Sequence, residues 1–180
     1  MTEEENTYTS GPLDSGQVTS MDSGLILRRA AENDAETIAR FNCQLCEETE
    51  HRSLDPATVL RGVVRGLQKN EDVQYWVAES SAPAGQEVVG QLMITREWSD
   101  WRDGWMMWLQ SVYVAAPFRG QGIFRQLLSH AIGEMQRSPD IVGLRLYVEA
   151  ENSRAMEVYQ RLKFQDAGYR VMERLFDGRK

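Results

Sequence analysis

The sequence is poor in the residues and segments that metal, redox and membrane chemistry require. Among 180 residues there are two cysteines and two histidines. Cys43 and Cys46 have the spacing of a redox motif, but they lie inside a helical pattern instead of following a strand, and a zinc site would need about four ligands. No apolar run approaches the roughly 18 residues that span a bilayer, and residues 2–6 are acidic and polar, unlike a secretory signal. We therefore expect a cytoplasmic protein with no metal and no membrane partner.

Basic residues are also in the minority. The 20 Lys and Arg residues are outnumbered by 27 Asp and Glu residues, which gives a formal net charge of −7 and a pI of about 5.0. A nucleic-acid partner is not expected, because a general nucleic-acid binder needs a basic surface to meet phosphates. The length and the hydrophobic content of 42% are ordinary for one globular domain with a sizeable core.

Hydrophobic patterning divides the chain into one domain and two tails. Residues 1–24 have almost nothing apolar to bury and predict a disordered acidic and polar tail, residues 25–176 predict the domain, and residues 177–180 predict a C-terminal tail. Alternating or continuous apolar patterns predict strands at residues 25–30, 73–79, 87–96, 106–114, 143–149 and 168–176. Helical periods between them indicate four helices and a mixed α/β or α+β class.

The most informative segment is a glycine-rich turn between a strand and a helix, at residues 112–125. The first turn of a helix leaves about four backbone N–H groups without partners, and the helix dipole adds positive potential there. Gly120 and Gly122 let the backbone approach a phosphate closely, and Arg119 and Arg125 add positive charge. The segment predicts either an anion site or a tight turn that merely needs glycine. It has neither the Gly-Lys-Ser/Thr of a P-loop nor the third glycine of a dinucleotide fold.

Three segments, which follow one another along the chain as they do in the family, resemble the GCN5-related N-acetyltransferase (GNAT) superfamily. Arg119-x-x-Gly122-x-Phe124 is similar to its acyl-CoA signature, Q/R-x-x-G-x-G/A. Residues 152–164 are similar to its later helix, N-x-x-A-x-x-x-Y-x-x-x-G-F, and the strand before that helix, which ends at Glu149, also fits. The resemblance implies a single GNAT-like domain with a mixed, mostly antiparallel sheet of six to seven strands and four flanking helices.

Two residues depart from the family's pattern. Phe124 stands where a small residue would allow the helix to come close to a phosphate, and it is either a core residue or a residue at the cofactor's edge. Lys163 replaces the usual glycine after the later helix. If that position is left-handed, the lysine side chain strains it by roughly 1 kcal/mol.

The resemblance implies acetyl-CoA as the cosubstrate and assigns its parts to residues. In the family, the main chain of the strand before the glycine-rich turn binds the pantetheine arm, which here means Val112 and Val114. Asn152 resembles the residue that supports the pantetheine end. The amides expected to hold the pyrophosphate are those of Arg119, Gly120, Gln121, Gly122, Ile123, Phe124 and Arg125.

The same resemblance indicates the proton-transfer groups. Tyr159 is similar to the family's general acid, which protonates the departing CoA thiolate, and a tyrosine with a pKa near 10 carries its proton at neutral pH. The alternative is an ordinary buried helix tyrosine. The strand before the turn contains no carboxylate to serve as general base, so the candidates are Glu149 and a water held by Gln110 or Ser111. The alternative for Glu149 is a solvated charge at a strand end.

Two features are candidates for the acceptor side. The family usually builds its acceptor site from the end of the first helix, where carboxylates suit a cationic amine but are also typical of a solvated helix end. Four tryptophans within residues 98–108 either wall a pocket or form a hydrophobic plug or a homodimer contact. The residues predicted to bind the acceptor are Glu47, Glu48, Trp108 and Gln110.

The leading hypothesis is therefore an N-acetyltransferase that moves an acetyl group from acetyl-CoA directly to a primary amine of a small molecule or peptide. The alternatives are a non-catalytic acyl-CoA-binding or regulatory module of the same fold, and a structural homodimer built on the tryptophan-rich loop.

Overall fold

The computed structural model describes residues 24–82, 85–174 and 176. The predicted N-terminal tail, apart from Gly24, and the predicted C-terminal tail at 177–180 lie outside the described residues. Within the described part, no helix is long and apolar enough to cross a membrane.

The helices and strands follow the predicted order as far as the fourth helix. The strands are β1 (Leu25–Arg29), β2 (Val73–Ala82), β3 (Gly85–Ser99), β4 (Gly104–Val114) and β5 (Ile141–Leu146). The helices are α1 (Ala35–Glu50), α2 (Pro56–Leu67), α3 (Ile123–Met135) and α4 (Ser153–Arg161), with short 3₁₀ turns at Glu32–Asp34 and Ala116–Phe118. The predicted single α+β domain with four helices is confirmed.

The strands form one mixed sheet in the order β1-β2-β3-β4-β5. The first four strands pair antiparallel, and β5 pairs parallel to β4. The predicted number of six to seven strands is wrong, because the described sheet has five, and the parallel β4–β5 pair makes "mixed" a better description than "mostly antiparallel". Residues 168–174, predicted to be the last strand, have no regular structure, and Met172 is 95% exposed. Their alternating pattern suits a strand, but without a neighbouring strand to pair with it does not form one.

Helices cover both faces of the sheet, as the alternation of side chains along β2 shows. Trp76 and Ala78 belong to a core with α3, whereas Tyr75 and Val77 belong to a second core with α1 and α2. Helix α3 buries the apolar stripe expected from its sequence: Ile123, Leu127, Leu128, Ala131 and Met135.

Strands β4 and β5 separate near the middle of the sheet. Their pairing runs only as far as Leu109 and Leu146, while β4 continues to Val114. Among the described residues no strand pairs with this outer edge of β4 beyond Leu109. The gap lies beside the turn that leads into α3, so the sheet itself creates an open edge next to the predicted anion site.

Candidate active site

The open edge of β4 presents the main chain of the two valines predicted to bind pantetheine. The amide of Ala115 donates to the carbonyl of Val89 on β3. Main-chain groups alternate in direction along a strand, so those of Val112 and Val114 face away from β3, toward the gap. The carbonyl of Val114 already accepts a hydrogen bond from Arg119 Nε at 2.7 Å.

A β-bulge shapes the same stretch of β4. Gln91 pairs with Tyr113 and Met93 with Gln110, so two residues of β4 oppose one of β3. Ser111 in the bulge has a φ of 47°, the left-handed region. The side chain of Gln91 supports it, because its Nε2 donates to the Ser111 carbonyl at 2.9 Å and to Asn42 Oδ1 at 2.7 Å. Neither Gln91 nor Asn42 could be identified from the sequence, because residues 49 positions apart give no local signal.

The glycine-rich turn has the conformation expected of an anion site. Gly120 and Gly122 both have a φ of 76°, which glycine adopts without strain. Gly122 is the N-cap of α3 and no side chain caps the first turn, so the amides of Ile123, Phe124 and Arg125 remain as hydrogen-bond donors there. A Cβ added at either glycine would meet nothing within 4 Å. The glycines are therefore required by backbone conformation, and the space in front of them is open.

The side chain of Arg119 is exposed, but it folds back onto β4 and α1. Its Nη2 donates to Glu48 Oε2 at 2.7 Å, and the guanidinium lies 5.1 Å from the centre of the Tyr113 ring. The Tyr113 hydroxyl donates to the other oxygen of Glu48 at 2.8 Å. Burial, helped by the hydrogen bond to the Glu48 carboxylate, raises the pKa of Tyr113. Glu48, predicted to bind the acceptor, has both carboxylate oxygens occupied by these two residues.

Tyr159 on α4 lies beside the start of α3. Its ring is edge-on to Phe124, with 6.0 Å between ring centroids, and edge-on to Phe164 at 5.7 Å. The side chain is half-buried, and burial raises the pKa of its hydroxyl. The structure thus places Tyr159 next to the glycine-rich turn, with Phe124 as its direct neighbour.

The loop between β5 and α4 holds the other two predicted residues. Asn152 is the N-cap of α4, and its Oδ1 accepts from the amide of Ala155 at 3.0 Å. Glu149 is exposed, and its Oε2 accepts from the amide of Glu151 at 3.0 Å. Both side chains therefore also stabilise the local turn, a contribution that the motif did not indicate.

The four tryptophans of residues 98–108 do not form one cluster. Trp108 stacks on Tyr147 with 4.5 Å between centroids, and its indole N–H donates to Glu97 Oε2 at 2.5 Å. Trp98 and Trp105 form a separate edge-on pair, and Trp101 is 85% exposed. Gln110 donates to the Thr95 hydroxyl at 2.7 Å. Glu97 and Tyr147 could not be identified from the sequence, because only the strand register brings them to Trp108.

A cavity of about 310 Å³ lies between the end of α1, the start of α2 and the bulge of β4. Glu50 and Arg52 at its rim approach each other to 3.6 Å. The lining residues are Asn42, Leu45, Cys46, Glu50, Arg52, Leu54, Val59 and Ser111. Neither Glu47 nor Glu48 lines it, so of the carboxylates at the end of α1 it is Glu50 that faces this space.

Comparison with known proteins agrees with the site's geometry. The family model described as the acetyltransferase (GNAT) family matches residues 35–164. The chain belongs to the GNAT family of acetyltransferases. Enzymes of this family use acetyl-CoA, and the chain is an acetyl-CoA-dependent N-acetyltransferase. Among the described residues, no group of three or more His, Cys, Asp or Glu side chains could hold a metal ion.

Individual proteins resemble this GNAT chain in sequence, in fold or in both. A crystal structure of a possible acetyltransferase from Clostridium difficile is 38% identical, covers 84% of this chain and 97% of its own, and superposes with a TM-score of 0.77. The thialysine N-epsilon-acetyltransferase of Bos taurus is 29% identical over 148 residues, 79% of this chain and 85% of the relative. A predicted acetyltransferase from Clostridium acetobutylicum, crystallised with acetyl-CoA, is 18% identical with a TM-score of 0.67, covering 83% of this chain and 96% of its own.

Proposed function

We propose that this enzyme transfers the acetyl group of acetyl-CoA directly to a primary amine of a small molecule or peptide. The observation that carries the proposal is the corner formed by three elements. The open edge of β4 offers main-chain groups of Val112 and Val114 to a pantetheine arm, and the uncapped first turn of α3 offers amides to a diphosphate. Tyr159 lies at the side of the same turn.

Tyr159 is proposed as the general acid. The amine nitrogen attacks the thioester carbon, and the tetrahedral intermediate collapses by breaking the carbon–sulfur bond. The sulfur then takes a proton from the Tyr159 hydroxyl and leaves as the CoA thiol. Burial raises the pKa of Tyr159, which keeps the hydroxyl protonated and available throughout the neutral range.

The amine must lose a proton before it attacks, because an alkyl ammonium with a pKa of about 10.4 has no free electron pair. Glu149 remains one proposed base, although its carboxylate also accepts a hydrogen bond from Glu151. A water held by Gln110 or Ser111 is the other proposal. Ser111 lines the cavity and lies next to Val112 in the chain, so a water there would stand between the acceptor and the thioester.

The cavity beside the bulge is the proposed acceptor site. Its lining combines apolar side chains, Leu45, Leu54 and Val59, with the charged pair of Glu50 and Arg52. An amino acid with a terminal amine would fit this charge pattern, with its ammonium at Glu50 and its carboxylate at Arg52. The Bos taurus relative, named for thialysine, supports an acceptor of this kind. Glu47, Trp108 and Gln110 remain proposed contributors outside the cavity.

The proposal is tested by measuring thiol release from acetyl-CoA with a panel of amines: amino acids with a terminal amine, the matching diamines, and peptides with a free amino terminus. At least one class should accelerate thiol release. Tyr159→Phe should then lower kcat by about 10²-fold or more, the usual contribution of a general acid, while the Kd for acetyl-CoA stays near its original value.

Tyr169→Phe is the matched control, because Tyr169 is 79% exposed and removal of its hydroxyl should leave kcat unchanged. If acetyl-CoA binds but no amine in the panel is acetylated, the non-catalytic alternative gains and the proposal fails. If Tyr159→Phe keeps full activity, the transfer proceeds without the general acid assigned here.

A further inference from the structure

We propose that Glu48 is a positioning residue for acetyl-CoA binding and has no direct role in acceptor recognition. In this role Glu48 holds Arg119 in place and thereby orders the glycine-rich turn before the diphosphate arrives. The inference rests on the proposed position of the diphosphate at the first turn of α3.

The contacts around Glu48 form one connected unit, which we call the Glu48 clamp: Glu48, Tyr113, Val114 and Arg119. Glu48 lies on α1, 71 residues from Arg119, and joins it at 2.7 Å through Oε2. Its Oε1 accepts from the Tyr113 hydroxyl at 2.8 Å. Arg119 in turn donates from Nε to the Val114 carbonyl at 2.7 Å. The clamp thus connects α1, the end of β4 and the turn.

Apart from the clamp, the hydrogen bonds within the turn are local. Its main chain donates from Phe118 to Ala115 and from Arg119 to Ala116, and the side chain of Gln121 donates to the Pro117 carbonyl at 3.2 Å. Beyond Arg119 come the two glycines with positive φ, which are the residues with the largest conformational freedom in the unbound state. Ordering such a segment on binding costs affinity, and a contact that orders it beforehand reduces that cost.

The same geometry argues against a role for Glu48 at the acceptor. Both of its oxygens already have donors, one of them the cationic Arg119, so an acceptor amine would have to displace one of these partners. It also does not line the cavity proposed for the acceptor, whereas Glu50, two residues further along, does. A cationic amine therefore finds its carboxylate at Glu50.

The clamp also changes the expected role of Arg119. Its guanidinium is bound to Glu48 and to the Val114 carbonyl, so the side chain acts on the turn and not on a phosphate. Ordering of the turn and competition with phosphate predict opposite effects of losing Glu48 on the affinity for acetyl-CoA. If the clamp orders the turn, loss of Glu48 weakens acetyl-CoA binding. If Glu48 merely competes with phosphate for Arg119, its loss strengthens binding.

The experiment compares Glu48→Gln, Arg119→Gln and the double variant by isothermal titration with acetyl-CoA. A glutamine at position 48 carries no negative charge and has an NH2 donor in place of one of the two acceptor oxygens, so one of the contacts with Tyr113 and Arg119 is lost. We expect each single variant to raise the Kd about threefold to fivefold, the upper range for an exposed ion pair, and the double variant to be no weaker than the singles. The KM for the amine should not change in Glu48→Gln. Glu134→Gln, which breaks another 2.7 Å pair, with Arg137 at the far end of α3, should leave the Kd unchanged.

Three results would overturn the inference: an unchanged or lower Kd in Glu48→Gln, additive effects of the two substitutions, or a rise in the amine KM alone. If Glu48→Gln fails to fold, Arg119→Gln tests the same contact, because it changes an exposed residue of the turn. Gly122→Val separates the inference from the proposed diphosphate position, because a β-branched residue at a φ of 76° distorts the first turn of α3. If Gly122→Val binds acetyl-CoA normally, it is the position of the diphosphate that fails.

Discussion

Phe124, at the start of α3, packs edge to face against Tyr159 on α4, with 6.0 Å between their ring centroids and 85° between their planes. Phe124 occupies the position where the family signature has a small residue. In this chain the ring takes part in burying the proposed general acid, and that burial raises the pKa of Tyr159. The departure from the signature therefore has a chemical consequence.

Phe124→Ala should shift the pH dependence of the reaction. With more solvent around it, the pKa of Tyr159 moves down toward its ordinary value of 10.0, so the proton is lost at lower pH. The alkaline limb of the kcat profile should then begin at a lower pH than in the unmodified enzyme. Val158→Ala, on the same helix but at a partly exposed position, should leave the limb in place. If the alkaline limbs of Phe124→Ala and the unmodified enzyme coincide, Phe124 does not control the protonation of Tyr159.

Gln91→Leu should destabilise the bulge of β4. Gln91 is 1% exposed, and its loss leaves the Ser111 carbonyl and Asn42 Oδ1 without their donor. A lost hydrogen bond costs about 0.5–1.5 kcal/mol, so the free energy of unfolding measured in urea should fall by about 1 kcal/mol. Gln86→Leu changes an exposed glutamine on the same strand and should alter the free energy by less than about 0.5 kcal/mol. Equal effects of the two substitutions would mean that the Gln91 hydrogen bonds contribute nothing.

Asp34→Asn should remove a pH-dependent part of the stability. Burial alone would raise the pKa of Asp34, but hydrogen bonds from Arg28 and from the Ala31 amide outweigh it and hold the pKa below the ordinary 3.8. A lowered folded-state pKa stabilises the protein above pH 3.8, and the contribution disappears as the pH falls through the folded-state value. At pH 7 the variant should lose about 1.5–3 kcal/mol in urea unfolding, the usual range for charge-assisted hydrogen bonds.

Acidification provides the check on that assignment. The difference between the unmodified protein and Asp34→Asn should shrink as the pH falls below 3.8, while Asp72→Asn, at a largely exposed pair with Arg96, should cost less than about 1 kcal/mol at pH 7. A difference for Asp34→Asn that stays constant with pH would contradict the assignment.

Lys163→Gly should stabilise the end of α4. Lys163 has a φ of 68°, so the left-handed conformation considered for this position is present. Glycine relieves a strain of about 1 kcal/mol, which for a domain of this size raises the Tm by about 2–4 °C in a thermal melt. Lys163→Ala keeps the Cβ and should give no such rise. If the alanine variant gains as much as the glycine variant, backbone strain is not the cause.

The parts of the fold that were predicted correctly have signals within a few residues of one another. Asp55 accepts from the amide of Thr58 at 3.0 Å and caps α2, whose first residue is Pro56, as that short sequence indicates. The start of α3 after Gly122 and the placement of Tyr159 on α4 depend in the same way on local preferences and fixed spacings. For this reason the four helices and the corner of the proposed site could be located without coordinates.

The sequence by itself determined the family, the helices and the glycine-rich turn, because backbone preferences and motif spacings act between close neighbours. Only the tertiary structure decided that Glu48 binds Arg119, that Gln91 supports the bulge, and that Glu50 and Arg52 border the cavity. The same holds for the sheet, where the strand-like pattern of residues 168–174 does not produce a sixth strand. Contacts between distant residues depend on strand register and on how helices pack on the sheet, and no local pattern encodes those choices.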